Sequence, residues 1–205
     1  MILRKMVCMK KILSLVAIIS ILCCFAACNN TSENVSSNDS MAESVSENIS
    51  TAEKDLGLTG GTCEFSNVVM DIPGGFVSQN DSETFTNYVT EKYPEERDCI
   101  SFSKSAETIA DYSEQNLNKL MQQLNERAER NIYSDEGCID YKQFTIDGHN
   151  AVTYKSEITA DDTFSMQTQV VVFFDDGAVI ISFSSLSGDY DEVFEKSIES
   201  IRVNE

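Results

Sequence analysis

The 205-residue chain has no tryptophan, two prolines, one histidine, and 15 basic residues against 34 acidic ones. Nucleic-acid binding needs clustered Lys and Arg to displace phosphate counterions, and beyond the first eleven residues no such cluster occurs. Cationic partners are the ones that such an acidic body would attract. With His149 as the sole histidine, any Ser-His-Asp or Cys-His arrangement has to use it. It follows Asp147-Gly148, where a polar strand-end residue facing water is ordinary, and its sequence neighbours supply no nucleophile. G-x-S-x-G, H-E-x-x-H and a phosphate-cradling glycine loop are all missing. The expected set of catalytic, cofactor-binding and metal-ligating residues is empty.

What is present begins with an address. Arg4, Lys5, Lys10 and Lys11 precede an uncharged run from Ile12 to Ala27. A basic start, a short apolar core and small residues before a cut site make an export signal. The run, with Ser14 and Ser20 in it, falls short of the roughly 20 apolar residues of a spanning helix. It ends Phe25-Ala26-Ala27-Cys28, which resembles the bacterial lipobox, with Phe25 where leucine is usual. That resemblance implies cleavage before Cys28, lipid on Cys28, and a chain held at the extracytoplasmic face of the cell membrane. An uncleaved anchor would give the same topology, because the nearby positive charges all precede the apolar run.

Residues 29–55 are rich in Ser, Asn, Glu and Thr and hold no aromatic residue. Such a segment cannot bury enough apolar surface to offset the entropy of ordering it. As a flexible chain it would span on the order of 30 Å, which makes 28–57 a tether. Removing the signal leaves eleven basic residues against 34 acidic ones.

Residues 58–205 form one domain, long enough to bury roughly 70% of the unfolded chain's surface. Extended segments are expected at Cys63–Ser66, Val68–Ile72, Phe85–Thr90 and Cys99–Ser103, the last half-buried because Ser and apolar residues alternate. Thr108 with Asp111 fits a loose capping box, opening a helix whose Leu117, Leu120, Met121, Leu124 and Ala128 share a face. Gly137 marks its far end. Tyr141–Ile146 and Ala151–Ile158 flank Asp147-Gly148, a strong hairpin signal. Thr163–Phe174 and Ala178–Leu186 flank Asp175-Asp176-Gly177, a second one. Val170-Val171-Val172-Phe173-Phe174 is apolar on both faces, so its strand should be central. A closing helix starts near Asp189 with Tyr190, Val193, Phe194, Ser197, Ile198 and Ile201 on one stripe. The fold class is α+β, a mainly antiparallel sheet flanked by helices.

Ile72-Pro73-Gly74-Gly75-Phe76 at the start and Ser200-Ile201-Arg202-Val203 at the end resemble the PsbP/DcrB-like domains over Cys63 to Val203. The resemblance implies an α/β/α sandwich, found on bacterial lipoproteins and an extrinsic photosystem subunit. It also implies binding or assembly work without a shared catalytic set.

Three cysteines lie in the domain, Cys63, Cys99 and Cys138, 36 and 39 positions apart, too far for a C-x-x-C zinc pair. Either one disulfide forms, with Cys63–Cys99 adding about 4 kcal/mol by chain entropy, or all three are buried thiols. Asp161-Asp162, Asp175-Asp176 and Asp189/Asp191/Glu192 suit turns and a helix start better than Ca²⁺ ligation. The function expected is a non-catalytic binding or assembly module at the cell envelope, with an unknown protein or small molecule as partner. The alternative is an envelope glycoside hydrolase, which needs only two facing carboxylates.

Overall fold

A computed structural model describes residues 57–128, 132–160 and 163–204. The signal, Cys28, the tether, Glu129 and Asp161-Asp162 lie outside the described residues. Five strands come first: β1 (Thr62–Phe65), β2 (Val68–Asp71), β3 (Phe76–Asp81), β4 (Phe85–Thr90) and β5 (Cys99–Ser105). Helix α1 (Glu114–Ala128) follows, then β6 (Ile139–Ile146), β7 (His149–Ala160), β8 (Thr163–Phe174) and β9 (Gly177–Ser185). Helix α2 (Asp191–Glu199) and the two-residue β10 (Arg202–Val203) close the chain.

The strands make two antiparallel sheets, β1-β2-β10 and the larger β3-β4-β5-β9-β8-β7-β6. Both long hairpins form where the glycine turns ask for them. Ile146 pairs with His149, so Asp147 and Gly148 are the whole loop, with φ of 49° and 85°. Two positive φ angles make the turn whose twist matches the strands it joins. At the second hairpin Phe174 pairs with Gly177, so Asp175-Asp176 is the loop and the glycine already belongs to β9.

Strand β8 lies between β9 and β7, as its two apolar faces require. Val170 and Val172 join one core with Ile100, Phe102, Ile181 and Phe183, under α2 and the small sheet. Val171 and Phe173 join another with Val152, Ala178 and Ile180, under Leu117, Met121 and Leu124 of α1. Each buried Val, Leu, Ile or Phe contributes about 1.5–3 kcal/mol relative to leaving it in water. The antiparallel sheet with packed helices is as expected, and the α/β/α sandwich is met in part. One face carries a helix, whereas the other shares its cover between α2 and the three-stranded sheet.

Three local readings need correction. Cys99–Ser103 is not half-buried, because all five residues are buried in a strand covered on both sides. Thr108 and Asp111 do not cap the helix. The Thr108 backbone N–H and hydroxyl both donate to Asp111 Oδ2 at 2.9 Å, closing a turn six residues before α1 starts. Ala128 is exposed rather than part of the buried face. Strand β3 runs along the sheet edge with a shift between Ser78 and Asn80, and five of its six residues are exposed.

Candidate functional site

An open groove of about 540 Å³ is lined by the β1–β2 turn of the small sheet and by the end of β5, the β8–β9 turn and the start of β9 in the large one. Ser66 and Asn67 form one lip, since Phe65 pairs with Val68 and leaves only these two residues for the β1–β2 turn. Ser66 adopts φ 57°, and Asn67 is held from the chain's end, its carbonyl accepting from the Asn204 N–H at 2.8 Å. Lys104, at the end of β5, and Asp176, in the β8–β9 turn, supply a cation and an anion to the lining. Phe174, Ala178 and Val179 supply its apolar part.

Gly177 sets how closely the β8–β9 hairpin approaches β5. A Cβ on it would stand 2.3 Å from the Ser105 carbonyl oxygen, and its φ is 151°. Only glycine permits that approach. No local pattern announces this site, because its residues come from two turns and a strand end far apart in sequence.

His149 is not alone in water. It is half-buried, with its ring centroid 5.0 Å from that of Phe174. Its neighbour is thus an apolar ring of the lining. Cys63, Cys99 and Cys138 are buried and none forms a disulfide. Cys63 belongs to the same core as Ile100 and Phe102, whereas strand alternation turns Cys99 to the opposite face. A Cys63–Cys99 bridge would have to pass through the sheet. Burial raises the Cys63 thiol, and burial with the nearby Glu114 charge pushes Cys138 up to about 12.

The acids have separate jobs. Asp98, only 1% exposed, accepts from the Leu186 and Ser187 N–H groups at 2.9 and 3.2 Å and from the Ser187 hydroxyl at 3.1 Å. That carboxylate clamps the loop after β9. Asp175 and Asp176 form a turn, while Asp189, Asp191 and Glu192 are exposed at the start of α2. Among the described residues no three His, Cys, Asp or Glu side chains converge on a metal-sized point. The groove itself is lined by one carboxylate, Asp176, where glycoside cleavage needs two facing each other.

A polar ladder also crosses the face that carries α1. Tyr154 donates its hydroxyl proton to Gln169, Gln169 Nε2 donates to Gln167 Oε1 at 3.0 Å, and Gln167 Nε2 donates to Ser184 Oγ at 3.0 Å. All four residues are buried. The alternation of the strands suggests side chains on that face but not that they would satisfy one another.

No family model matches the chain, and no curated protein sequence does. Among solved structures, it is similar to cyanobacterial PsbP (CyanoP) from Synechocystis sp. PCC 6803, a solution structure. The TM-score is 0.50 at 14% identity, over 67% of this chain and 86% of that one. The fold is PsbP-like. A looser likeness, TM-score 0.42 at 10% identity over 67% of this chain and 83% of the other, links it to LpqN of Mycobacterium tuberculosis. That protein is described as involved in cell envelope biogenesis. At 14% identity the likeness to CyanoP is one of fold alone, and no residue role transfers from it. No helix among the described residues is long and apolar enough to cross a membrane.

Proposed function

We propose that this chain is a binding module without chemistry of its own, tethered at the extracytoplasmic face of the cell membrane through lipid on Cys28. The PsbP-like domain engages a protein or small-molecule partner through the groove between its sheets. The observation that carries the reading is that groove, open to solvent and mixed in character, with Lys104 and Asp176 on an apolar floor. Binding sites commonly combine an apolar lining with a few placed polar groups. The tether supports the location, since a chain on the order of 30 Å long lifts a domain clear of lipid headgroups. The acidic balance keeps the module dispersed over an anionic surface and favours partners with cationic character.

Two variants separate the parts of this proposal. Cys28→Ala should lose radiolabelled palmitate and the normal cleavage while the domain still folds. Label entering that variant at the wild-type level would contradict the anchor. Lys104→Glu should release the partner without loss of fold, and undiminished binding would contradict the groove.

A further inference from the structure

The seven-stranded sheet has two open edges, β3 and β6. Each carries one of the two large apolar side chains exposed among the described residues, Val77 at 44% and Phe144 at 38%. An open edge presents unpaired backbone groups to any strand that can align with it, and proteins guard edges with irregular register or charge. Strand β3 is guarded on both counts, by the shift between Ser78 and Asn80 and by Asp81 at its end. Strand β6 has its irregularity between Ile139 and Lys142, and from Lys142 to Ile146 its register with β7 is continuous.

The hairpin decides which way the free groups point. Ile146 and His149 close a two-residue turn, and such a closing pair exchanges both of its hydrogen bonds. Alternation then turns the N–H and C=O of Lys142, Phe144 and Ile146 toward β7, and those of Gln143 and Thr145 outward. Side chains alternate as well, with Lys142, Phe144 and Ile146 on one face and Gln143 and Thr145 on the other. Lys142, Gln143, Phe144 and Thr145 are all exposed.

Charge favours a second copy here and nowhere comparable. The chain has 34 acidic residues against 15 basic ones, so copies repel one another over most of their surface. Residues 141–146, Tyr-Lys-Gln-Phe-Thr-Ile, hold no acid and one cation. The acids that flank them are engaged, Asp140 with Lys155 at 4.0 Å and Asp147 with the Val203 N–H.

We propose that β6 is the contact between two copies of this chain, paired antiparallel about a two-fold axis at Phe144. In that register Phe144 faces its own counterpart and each ring covers the other. Gln143 of each copy lies opposite Thr145 of the other, so their outward backbone groups bond across the seam. Lys142 lies opposite Ile146 and lays its apolar stem along it. A contact of this symmetry closes on itself and stops at two copies. So short a strand pair is small beside the roughly 1,000 Å² of a lasting interface, so the pairing is weak in dilute solution and gains from crowding on a membrane. It uses no residue of the groove.

The test oxidises membranes of the native host holding two differently tagged full-length copies, one with Gln143→Cys and the other with Thr145→Cys. Phe144 stays in place. Directly opposite bonded residues have Cα atoms about 5.5 Å apart, within reach of a disulfide, whereas two copies of either variant alone are displaced along the strand. The mixed pair should give a product of two chains at least fivefold above either variant alone and above Val77→Cys on the other edge. Cys63, Cys99 and Cys138 are buried and should stay silent. Lys142→Glu, which puts an acid into the acid-free stretch, should cut the product at least fivefold. A copy caught at β6 adds the chain's own mass, which separates it from any partner of the groove. The proposal is overturned if the mixed pair cross-links no better than Val77→Cys, if either variant alone matches it, or if Lys142→Glu changes nothing. A product joined to a different protein overturns it as well.

Discussion

Asp147 Oδ2 accepts the backbone N–H of Val203 at 2.8 Å, joining the β6–β7 turn to the last strand across 56 residues. Strand β10 has two residues and pairs with Val68 and Val69 of β2, and this bond joins the Asn204 N–H to Asn67 carbonyl bond and the Arg202–Asp71 contact in holding the chain's end. Asp147→Ala removes the acceptor and puts a residue poorly suited to φ 49° in the turn. The expected destabilisation is about 1–2 kcal/mol, measured by urea unfolding. Asp147→Asn, which keeps an acceptor and tolerates the left-handed conformation, should lose less than half of that.

Asp98 should be far more sensitive. Its removal leaves the donors of Leu186 and Ser187 without their acceptor inside the protein. Asp98→Ala should destabilise by about 3 kcal/mol or more, and a loss under about 1 kcal/mol would show that the clamp is dispensable.

Gly177 and Gly148 make a paired comparison. Both have positive φ, but a Cβ at Gly148 meets nothing within 4 Å, whereas at Gly177 it meets the Ser105 carbonyl at 2.3 Å. Each substitution by alanine strains the backbone, and only Gly177→Ala also pushes β8–β9 from β5. It should destabilise by at least about 1 kcal/mol more than Gly148→Ala, read as the difference between their unfolding free energies.

Alkaline pH should unfold the domain through its buried weak acids. Burial raises Tyr133 from 10.0 to about 12, and burial with Glu114 raises Cys138 from 9.0 to about 12. Between those limits the unfolded chain gives up protons that the folded chain keeps, so the stability present below pH 9 declines as pH rises toward 12. Urea midpoints should fall steadily from pH 9 to 11. At pH 8, where Cys138 remains a thiol, a thiol reagent should leave it unmodified in the folded protein.

The parts of the fold that were legible in sequence are those with a local cause. Asp147-Gly148 announces its turn through backbone geometry, and Val170–Phe174 announces a strand covered on both faces. The stripe from Tyr190 to Ile201 announces α2. Strand β3 carries no such signal, since exposure of Val77 through Asp81 leaves no burial alternation to read. Thr108 and Asp111 satisfy the spacing of a cap, but their hydrogen bonds close a turn of their own instead. The groove was illegible for a different reason. Ser66, Lys104 and Asp176 are ordinary turn and strand-end residues, and only the pairing of β5 with β9 and the packing of the small sheet bring them together.

The central claim is that a partner binds in the groove of a tethered, non-catalytic module. Its most direct measurement places a photoreactive amino acid at Ala106 in the full chain and irradiates membranes of the native host. A matched control carries the probe at Phe144, which is 38% exposed on the outer strand β6. Mass spectrometry reads the adduct as protein or small molecule. The account predicts one dominant adduct from position 106, lost on Lys104→Glu and absent from position 144. Equal labelling at both positions, or labelling at 106 that ignores Lys104→Glu, would contradict it.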